Sequence, residues 1–289
     1  MTEPGALGPA LPLLACPHCG AALAGVDPGT VGCPQGHRFD LARQGYLPLL
    51  GGRSRTDTGD DAAMVAARAE FLGGGHYAAI AEAVRDAVRR DRTPERPGAV
   101  LEIGAGTAYY LAHTEPQVGI ALDSSRYAAR RAAKAHPRVA SVLADAWAPL
   151  PIRSRAIDTL LVIFAPRDVA ELARVLRPGG IAVVVTPEPG HLAEIRGPLG
   201  MLDIDAGKAA SVAVGWRPGF ELVAATAVTA QLRLSPADLR ALVAMGPTAR
   251  HRSAEQIAAA VAALPEPTVV TMSVTVSRLR RNAEHLGPA

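Results

Sequence analysis

From residue 99 onward, short apolar runs alternate with segments of helical periodicity. The runs have the length of buried strands, which are predicted at 99–103, 118–122, 139–143, 156–163 and 181–186. The helices between them are predicted near 107–113, 124–135 and 168–176. Such alternation is typical of a parallel sheet with right-handed crossovers, so we predict a doubly wound α/β domain.

The pattern changes towards the C-terminus. Strands are predicted near 220–232 and 268–279, with helices near 236–245 and 253–264 between them. Two late strands that are divided by helices indicate a sheet that is finished by an antiparallel edge.

The region before residue 99 contains two predicted helices, and residues 16–50 before them have glycine and proline turns and almost no helical periodicity. The first spans 61–72 with Asp60 as its N-cap, and the second spans 76–90 after three consecutive glycines. Residues 92–98 are predicted as a linker. The apolar stretch 6–15 has no basic residues before it and contains two prolines, so we expect a loose tail rather than a secretory signal.

Composition indicates a globular protein that does not span a membrane. Of the 289 residues, 49% are hydrophobic and 20% are charged, and no apolar run reaches the length of a membrane helix. The net charge of +3 permits an acidic partner without requiring one. The three cysteines, an odd number, cannot all pair internally, so a reducing cytoplasm is expected.

The cysteines form a metal-binding pattern. Cys16 and Cys19 are separated by two residues, and Cys33 and His37 follow as a second pair. Two such turns can direct four ligands at one ion, as in structural zinc sites. His18 is a weaker candidate because it lies inside the first turn. Four protein ligands leave no position for water, so we expect zinc to hold a core-poor segment together and not to catalyse.

A glycine-containing turn follows the first predicted strand of the α/β region. Residues 101–107 have the sequence LEIGAGT, and such a turn lets a ligand lie against the backbone at the carboxyl edge of a sheet. Tyr109 stands where dinucleotide-binding turns have a third glycine, which disfavours NAD. A ligand with adenosine and no phosphate fits better, and S-adenosylmethionine is the common one.

Acidic residues end three successive strands. Asp123 is placed to accept hydrogen bonds from ribose hydroxyls, and Asp145 to meet the adenine amino group. Glu102 is placed to face the ligand's ammonium through water. One such acid is more often a helix cap or a solvated turn, but their joint placement predicts a cofactor site.

Further motifs extend over nearly the whole chain: CPHCG, CPQGHRFDLARQGY, FAPR and PGHLAE are specific, whereas LEIGAGTAYYL and VLRPGG are general to methyltransferases. Together they resemble the bacterial 23S ribosomal RNA guanine-N1 methyltransferases, particularly the branch that confers tylosin- or mycinamicin-type macrolide resistance. The resemblance implies a Rossmann-like class I methyltransferase domain with an N-terminal zinc-binding module. The implied parts are a zinc-binding RNA-recognition module (1–50), a helical connector that contributes to the cofactor site (51–98) and the methyltransferase domain (99–289).

The resemblance also implies roles for individual residues. Zinc would be held by Cys16, Cys19, Cys33 and His37, in a module that helps to grip an RNA hairpin. The residues implied at the cofactor, together with Glu102, are Tyr77, Gly104, Gly106, Thr107, Ala108, Asp123, Asp145 and His191. Without the resemblance, Tyr77 would be interpreted as a core aromatic and His191 as a residue bonded to backbone.

The expected substrate is a guanine that has left its stack. Its N1 carries a proton that some group must accept. The segment containing Phe164, Pro166 and Arg167 is predicted as the substrate pocket: Phe164 would stack on the base and Arg167 would contact phosphate or O6. The alternative is that Phe164 is core and Arg167 caps a helix. Val162 cannot hydrogen-bond the base, so no general base is assigned.

Basic residues supply candidates for contacts with RNA phosphate. Those around the zinc pattern are preferred, namely Arg38, Arg43, Arg53 and Arg55. A second run is interpreted as a solvated helix face, namely Arg126, Arg130, Arg131, Lys134 and Arg138.

We therefore predict an enzyme that transfers a methyl group from S-adenosylmethionine to N1 of a guanine in a 23S rRNA hairpin loop near the macrolide site, contributing to macrolide resistance. One alternative is a small-molecule methyltransferase of antibiotic biosynthesis, which gives no reason for the zinc module. Another is a non-catalytic zinc-containing RNA-binding protein, which would not bind the cofactor. A homodimer is left open.

Overall fold

The strands predicted in the α/β region are all present in the computed structural model, which describes residues 5–51, 59–90, 98–165, 168–204, 215–217 and 219–283. The strands are β1 (Ala24–Asp27), β2 (Thr30–Gly32), β3 (Arg38–Asp40), β4 (Tyr46–Pro48), β5 (Ala99–Ile103), β6 (Val118–Asp123), β7 (Val139–Leu143), β8 (Ile157–Ile163), β9 (Leu176–Pro187), β10 (Phe220–Leu234) and β11 (Thr268–Arg281). The helices described are α1 (Leu7–Ala10), α2 (Ala62–Gly73), α3 (Ala78–Arg89), α4 (Tyr109–His113), α5 (Arg126–Ala132), α6 (Val169–Val175), α7 (Ala193–Leu199), α8 (Pro236–Ala244) and α9 (Ala254–Ala262).

Eight of these strands form one sheet in the order β10-β11-β9-β8-β5-β6-β7-β4. The strands from β4 to β9 pair in parallel, whereas β11 pairs antiparallel to β9 and β10 antiparallel to β11. The predicted antiparallel edge is therefore confirmed. Strand order reverses at β5, because β6 and β7 lie on one side of it and β8 and β9 on the other. Such a reversal opens a crevice beyond the carboxyl ends of the strands.

The central strands β5 to β8 are buried on both faces, as expected for parallel strands covered by helices, whereas the edge strand β10 is largely exposed. Successive residues of one strand point to opposite faces, so Val100 packs with one layer of the core and Leu101 with the other. The first layer includes residues of α3 and α8, such as Val84 and Leu242.

The expectation of a loose N-terminal tail is wrong. Residues 7–13 form α1 and a single 3-10 turn, and Leu14 pairs with Ile152 in an antiparallel bridge. Ala10 and Leu14 are fully buried in the same layer as Ile152. The apolar residues of this stretch therefore cover the eight-stranded sheet, and burial of their side chains explains their composition.

The zinc-binding segment ends in a strand of the large sheet. Strands β1, β2 and β3 form a small antiparallel sheet, but β4, which follows them, pairs in parallel with β7. Leu47 on β4 is fully buried. Residues 5–50 are thus joined to the eight-stranded sheet by backbone hydrogen bonds as well as by side-chain packing.

The two connector helices differ from their prediction at their starts. The carboxylate of Asp61, and not that of Asp60, accepts from the backbone N–H of Met64 and caps α2. Asp60 instead forms an ion pair with Arg68. Helix α3 begins at Ala78, one residue after Tyr77, because the turn at 73–77 occupies the preceding residues.

None of the helices in the described parts of the chain is long and apolar enough to cross a membrane.

Candidate cofactor cleft and zinc site

The predicted zinc ligands come together at two tight turns. Gly20 and Gly36 follow the turns with positive φ angles of 71° and 83°, a conformation that glycine adopts without steric cost. Within each turn a backbone N–H closes back on the first cysteine, from Gly20 to Cys16 and from Gly36 to Cys33. The turns direct both pairs of ligands to one point, and the ligand atoms of Cys16, Cys19, Cys33 and His37 all lie within 4.8 Å of one another.

The spacing of these atoms fits a tetrahedral zinc ion. Zinc–sulfur bonds of about 2.3 Å and zinc–nitrogen bonds of about 2.0–2.1 Å imply ligand–ligand edges of roughly 3.5–3.8 Å. The Sγ atoms of Cys19 and Cys33 are 3.6 Å apart, and Nδ1 of His37 lies 3.5 Å from Cys16 Sγ and 3.3 Å from Cys33 Sγ. The ring of His18 is not among the ligands; it stacks on Phe39 with centroids 5.8 Å apart.

The glycine turn after β5 is closed by the neighbouring strand. Gly104 and Gly106 both have positive φ, and Ala105 donates its N–H to the carbonyl of Leu122 in β6. A Cβ atom on Gly104 would lie 2.9 Å from Cβ of Ala165, so only glycine allows the turn to approach the end of β8 this closely.

Asp123 ties this turn to the end of β6. One carboxylate oxygen accepts from the N–H of Gly106 at 2.7 Å and the other from Ser125 at 2.8 Å. A carboxylate has about four acceptor positions, so two remain for ribose hydroxyls. Burial raises the pKa of Asp123, and these two hydrogen bonds oppose the rise.

Glu102 is buried at the end of β5, where it caps helix α4. The residue before α4 is Ala108, which has a left-handed backbone and no side-chain acceptor, so Glu102 Oε2 accepts from the N–H of Leu111 at 3.1 Å instead. Burial raises the pKa of Glu102 to about 8, and the nearby charge of Asp123 adds to the rise. A cationic group that enters the cleft would relieve this burial penalty by pairing with the ionised carboxylate.

A cleft of about 410 Å³ opens at this edge of the sheet, and a smaller cavity of about 40 Å³, which Glu102 lines but Asp123 does not, adjoins it at the glycine turn. Tyr77, Phe164, Arg68 and Met245 line both spaces. Glu102, Gly104 and Thr107 line the smaller one, and His191 lines the larger. The structure thus places the predicted residues of β5, α3 and the 187–192 turn around one opening at the strand-order reversal.

Tyr77 and His191 are joined by a hydrogen bond whose direction can be assigned. Nδ1 of His191 accepts from the N–H of Ser273, and burial, with the nearby Arg196, lowers the pKa of His191 to about 4. The neutral ring therefore carries its hydrogen on Nε2 and donates it to Tyr77 Oη, 3.3 Å away. Burial also raises the pKa of Tyr77. Both side chains are therefore neutral near pH 7.

Phe164 lies at the mouth of the cleft in an unusual backbone conformation. Its φ is +52°, in the left-handed region that a bulky side chain rarely adopts. Its ring is 43% exposed and lies 6.0 Å from His191 and 6.4 Å from Tyr77, centroid to centroid. The conformation turns the ring out of the core and into the opening, and strained residues of this kind cluster at functional sites.

The remaining predicted residues have other positions. Asp145 is buried and its carboxylate accepts from the N–H of Trp147, which fixes the loop after β7. Arg38 pairs with Asp27 at 2.9 Å on the surface, whereas Arg43 is exposed. Pro166, Arg167, Arg53 and Arg55 lie outside the described residues.

Sequence reasoning missed Arg68, Asp60 and Met245, all of which line the cleft. Arg68 lies within the predicted helix 61–72, where nothing in the hydrophobic pattern separates it from a solvated arginine. Met245 follows α8, and its proximity depends on the C-terminal helices folding back over α2, which no local pattern indicates.

Comparison with known proteins bears on the zinc ribbon and on the family of the whole chain. The model of the family described as RlmA, N-terminal, a zinc ribbon, matches residues 14–54. A 23S rRNA (guanine(748)-N(1))-methyltransferase of Streptomyces fradiae is 43% identical over 271 residues, which cover 92% of this chain and 96% of that protein. A protein of Micromonospora griseorubida, provisionally named a 23S rRNA (guanine-N(1)-)-methyltransferase, is also 43% identical, over 93% of this chain and 98% of its own.

The chain belongs to the family of 23S rRNA (guanine-N1)-methyltransferases. It is an S-adenosylmethionine-dependent methyltransferase with an N-terminal zinc ribbon, so the predicted fold class, cofactor and metal are confirmed.

The zinc site gives a first testable prediction. Replacing Cys16 or Cys33 by Ser should remove about one zinc ion per chain, because a hydroxyl does not supply the thiolate that zinc prefers. Elemental analysis of the purified protein measures this. The matched control is His18→Ala, which lies between two ligands without being one and should keep the metal. Full zinc content in both cysteine variants would contradict the assignment.

A second prediction concerns the buried Glu102. Its pKa is raised from 4.5 to about 8 in the fold, so the folded protein holds a proton that the unfolded chain loses, and stability falls as pH rises through this range. Glu102→Gln keeps an acceptor for Leu111 but cannot ionise. The variant's free energy of unfolding should therefore exceed that of the wild type by an amount that grows between pH 5 and 8, on the order of 1–3 kcal/mol.

Urea denaturation at four pH values between 5 and 8 measures this difference. The control is Glu115→Gln, at an exposed position that pairs with Arg89 on the surface, where no such growth is expected. A constant difference between Glu102→Gln and the wild type over this range would show that Glu102 is ionised in the fold.

Proposed function

We propose that this protein methylates N1 of a guanine in a hairpin loop of 23S rRNA near the macrolide site, and that this modification contributes to macrolide resistance. The observation that carries the proposal is the identity with the Streptomyces fradiae enzyme, which extends over both the ribbon and the methyltransferase sheet. Because rRNA is assembled and modified in the cytoplasm, that is the proposed location. The proposed parts are the ribbon (1–50), the connector (51–98) and the methyltransferase domain (99–289).

The cofactor is proposed to bind along the carboxyl edge of β5, β6 and β7. Asp123 would hold the ribose, Asp145 the adenine amino group and Glu102 the ammonium. The backbone of Gly104, Gly106, Thr107 and Ala108 would lie against the cofactor, and Tyr77 and His191 would complete the pocket. Bound there, S-adenosylmethionine supplies the methyl group.

Phe164 is proposed to hold the flipped guanine by stacking. Its exposure at the cleft mouth and its distance from Tyr77 and His191 support this role. Pro166 and Arg167 would extend the pocket from the same loop. The hydroxyl hydrogen of Tyr77 is not used by His191, so Tyr77 can donate to a carbonyl oxygen in the cleft. No acceptor is assigned for the proton on guanine N1.

The zinc ribbon is proposed to position the RNA through its phosphates. Arg43 is exposed and is the stronger candidate, because Arg38 already pairs with Asp27. The proposal needs one copy of the chain, with a homodimer compatible but not required.

The direct test is to identify the methylated nucleoside. The purified protein is incubated with 23S rRNA that lacks the modification, and the digested RNA is analysed by mass spectrometry. N1-methylguanine confined to one hairpin loop is the expected product. A methylated adenine or cytosine, or methylation of a macrolide sugar in place of RNA, would refute the proposal and favour one of the alternative enzymes.

Two variants should separate RNA docking from base positioning. Arg43→Ala should raise the RNA concentration needed for half-maximal rate and flatten its salt dependence, because one phosphate contact is lost. Phe164→Ala should mainly lower turnover, because the acceptor base is no longer held in line. Steady-state kinetics at several salt concentrations measures both.

Arg130→Ala, on the exposed face of α5, is the control and should behave like the wild type. If Arg43→Ala and Arg130→Ala had equal effects, the proposed role of the ribbon in RNA docking would be wrong. Unchanged turnover in Phe164→Ala would remove Phe164 from the substrate pocket.

A further inference from the structure

Arg68 is a cation inside the proposed cofactor cleft for which no role has yet been given. It projects from α2, lines both the large cleft and the small cavity at the glycine turn, and is partly buried, with 29% of its side chain exposed. Its charge acts on both cofactor acids: burial raises the pKa of Glu102 and of Asp123, and Arg68 opposes the rise at each. Arg68 therefore lies at the centre of the proposed site.

One end of its guanidinium is fixed by the protein. Nη2 donates to Oδ2 of Asp60 at 2.5 Å and to the carbonyl oxygen of Met245 at 2.9 Å. Nη2 carries two hydrogens, so these two acceptors use both. Asp60 and Met245 thereby set the orientation of the planar group, and any further ligand must be served by its other nitrogens.

Nε of Arg68 is a buried donor that remains open. It is buried, and among the residues that the structure describes it has no hydrogen-bond acceptor. It lies against the glycine turn: a Cβ atom on Gly106 would be 3.5 Å from Nε and 3.1 Å from Cδ of Arg68. A buried donor without a partner destabilises the protein, and a charged one does so more strongly. A ligand that brings an anionic oxygen into the adjoining cavity would remove this destabilisation.

We propose that Nε of Arg68 binds the α-carboxylate of S-adenosylmethionine, opposite the ammonium that Glu102 receives. This inference rests on the proposed cofactor cleft. The carboxylate is the anionic group of that cofactor, and it lies on the same carbon as the ammonium. Glu102 and Arg68 line the same small cavity, so one end of the ligand can meet both. An RNA phosphate is the less favoured occupant, because it would have to pass the carboxylate of Asp60 at the cleft.

The test compares two ligands that differ only in this carboxylate. Calorimetric titration measures the affinity of the full-length protein for S-adenosylmethionine and for its decarboxylated form, which keeps the ammonium, the sulfonium and the adenosine. The wild type should bind S-adenosylmethionine about 10- to 100-fold more tightly, as expected for a hydrogen bond between charged groups. Arg68→Gln should lose this preference by weakening only the binding of S-adenosylmethionine. Arg68→Lys should keep part of it, because the charge remains without the planar donor.

Arg250→Gln is the matched control, since Arg250 lines the large cleft and lies 3.9 Å from the same Asp60 but does not line the cavity at the glycine turn. Its ligand preference should equal that of the wild type. Equal affinity of the wild type for both ligands would overturn the inference without help from any variant. A preference that survives in Arg68→Gln, or an effect of that variant on RNA affinity alone, would also overturn it. A wild type that binds neither ligand would instead refute the cofactor cleft itself.

Discussion

The reversal of strand order at β5 is the constraint on which the rest of the molecule depends. β6 and β8 lie on opposite sides of β5. The turn after β5 and the loop after β8 therefore face each other across an opening, which no crossover helix of the described residues fills. Gly104 and Ala165 can approach closely there only because glycine has no side chain. Polar groups at these strand ends are therefore buried but can still be reached through the opening. A small ligand that enters the opening can supply their missing hydrogen-bond partners.

Two acids at these strand ends stabilise the fold, and in the proposed function they also hold the cofactor. Glu102 replaces the missing cap of α4, and Asp123 holds the glycine turn against β6. Each carboxylate is retained in a buried position by backbone N–H groups, and each keeps further acceptor capacity for a cationic or hydroxyl-bearing partner. His191 is held in a similar way: its Nδ1 accepts a hydrogen bond from the backbone N–H of Ser273, which fixes both the orientation of the ring and its tautomer.

Most of the fold and the identity of the metal ligands could be predicted from sequence, because both depend on local spacing. Strand length, the alternation with helices and the two cysteine turns are properties of short segments. The errors came where distant segments meet. Residues 6–15 contain no local pattern that predicts how they pack. The bridge between Leu14 and the distant Ile152 shows why they are ordered. The carboxylate of Asp60 could cap a helix, but it pairs with Arg68, and Asp61 caps α2 instead. No sequence pattern marks Arg68, because its position in the cleft depends on contacts with Met245 and with the glycine turn, which are distant from it in the chain.

The parallel pairing of β4 with β7 has a consequence for how the two modules act together. A ribbon that hangs from a flexible tether could present RNA at many distances from the cleft, and its contribution would be only a raised local concentration. Here the last strand of the ribbon segment is also a strand of the catalytic sheet. If the ribbon holds an RNA hairpin as proposed, the hairpin would meet the cleft at a set spacing, and the nucleotide to be modified would be selected by its distance along the stem as well as by its base.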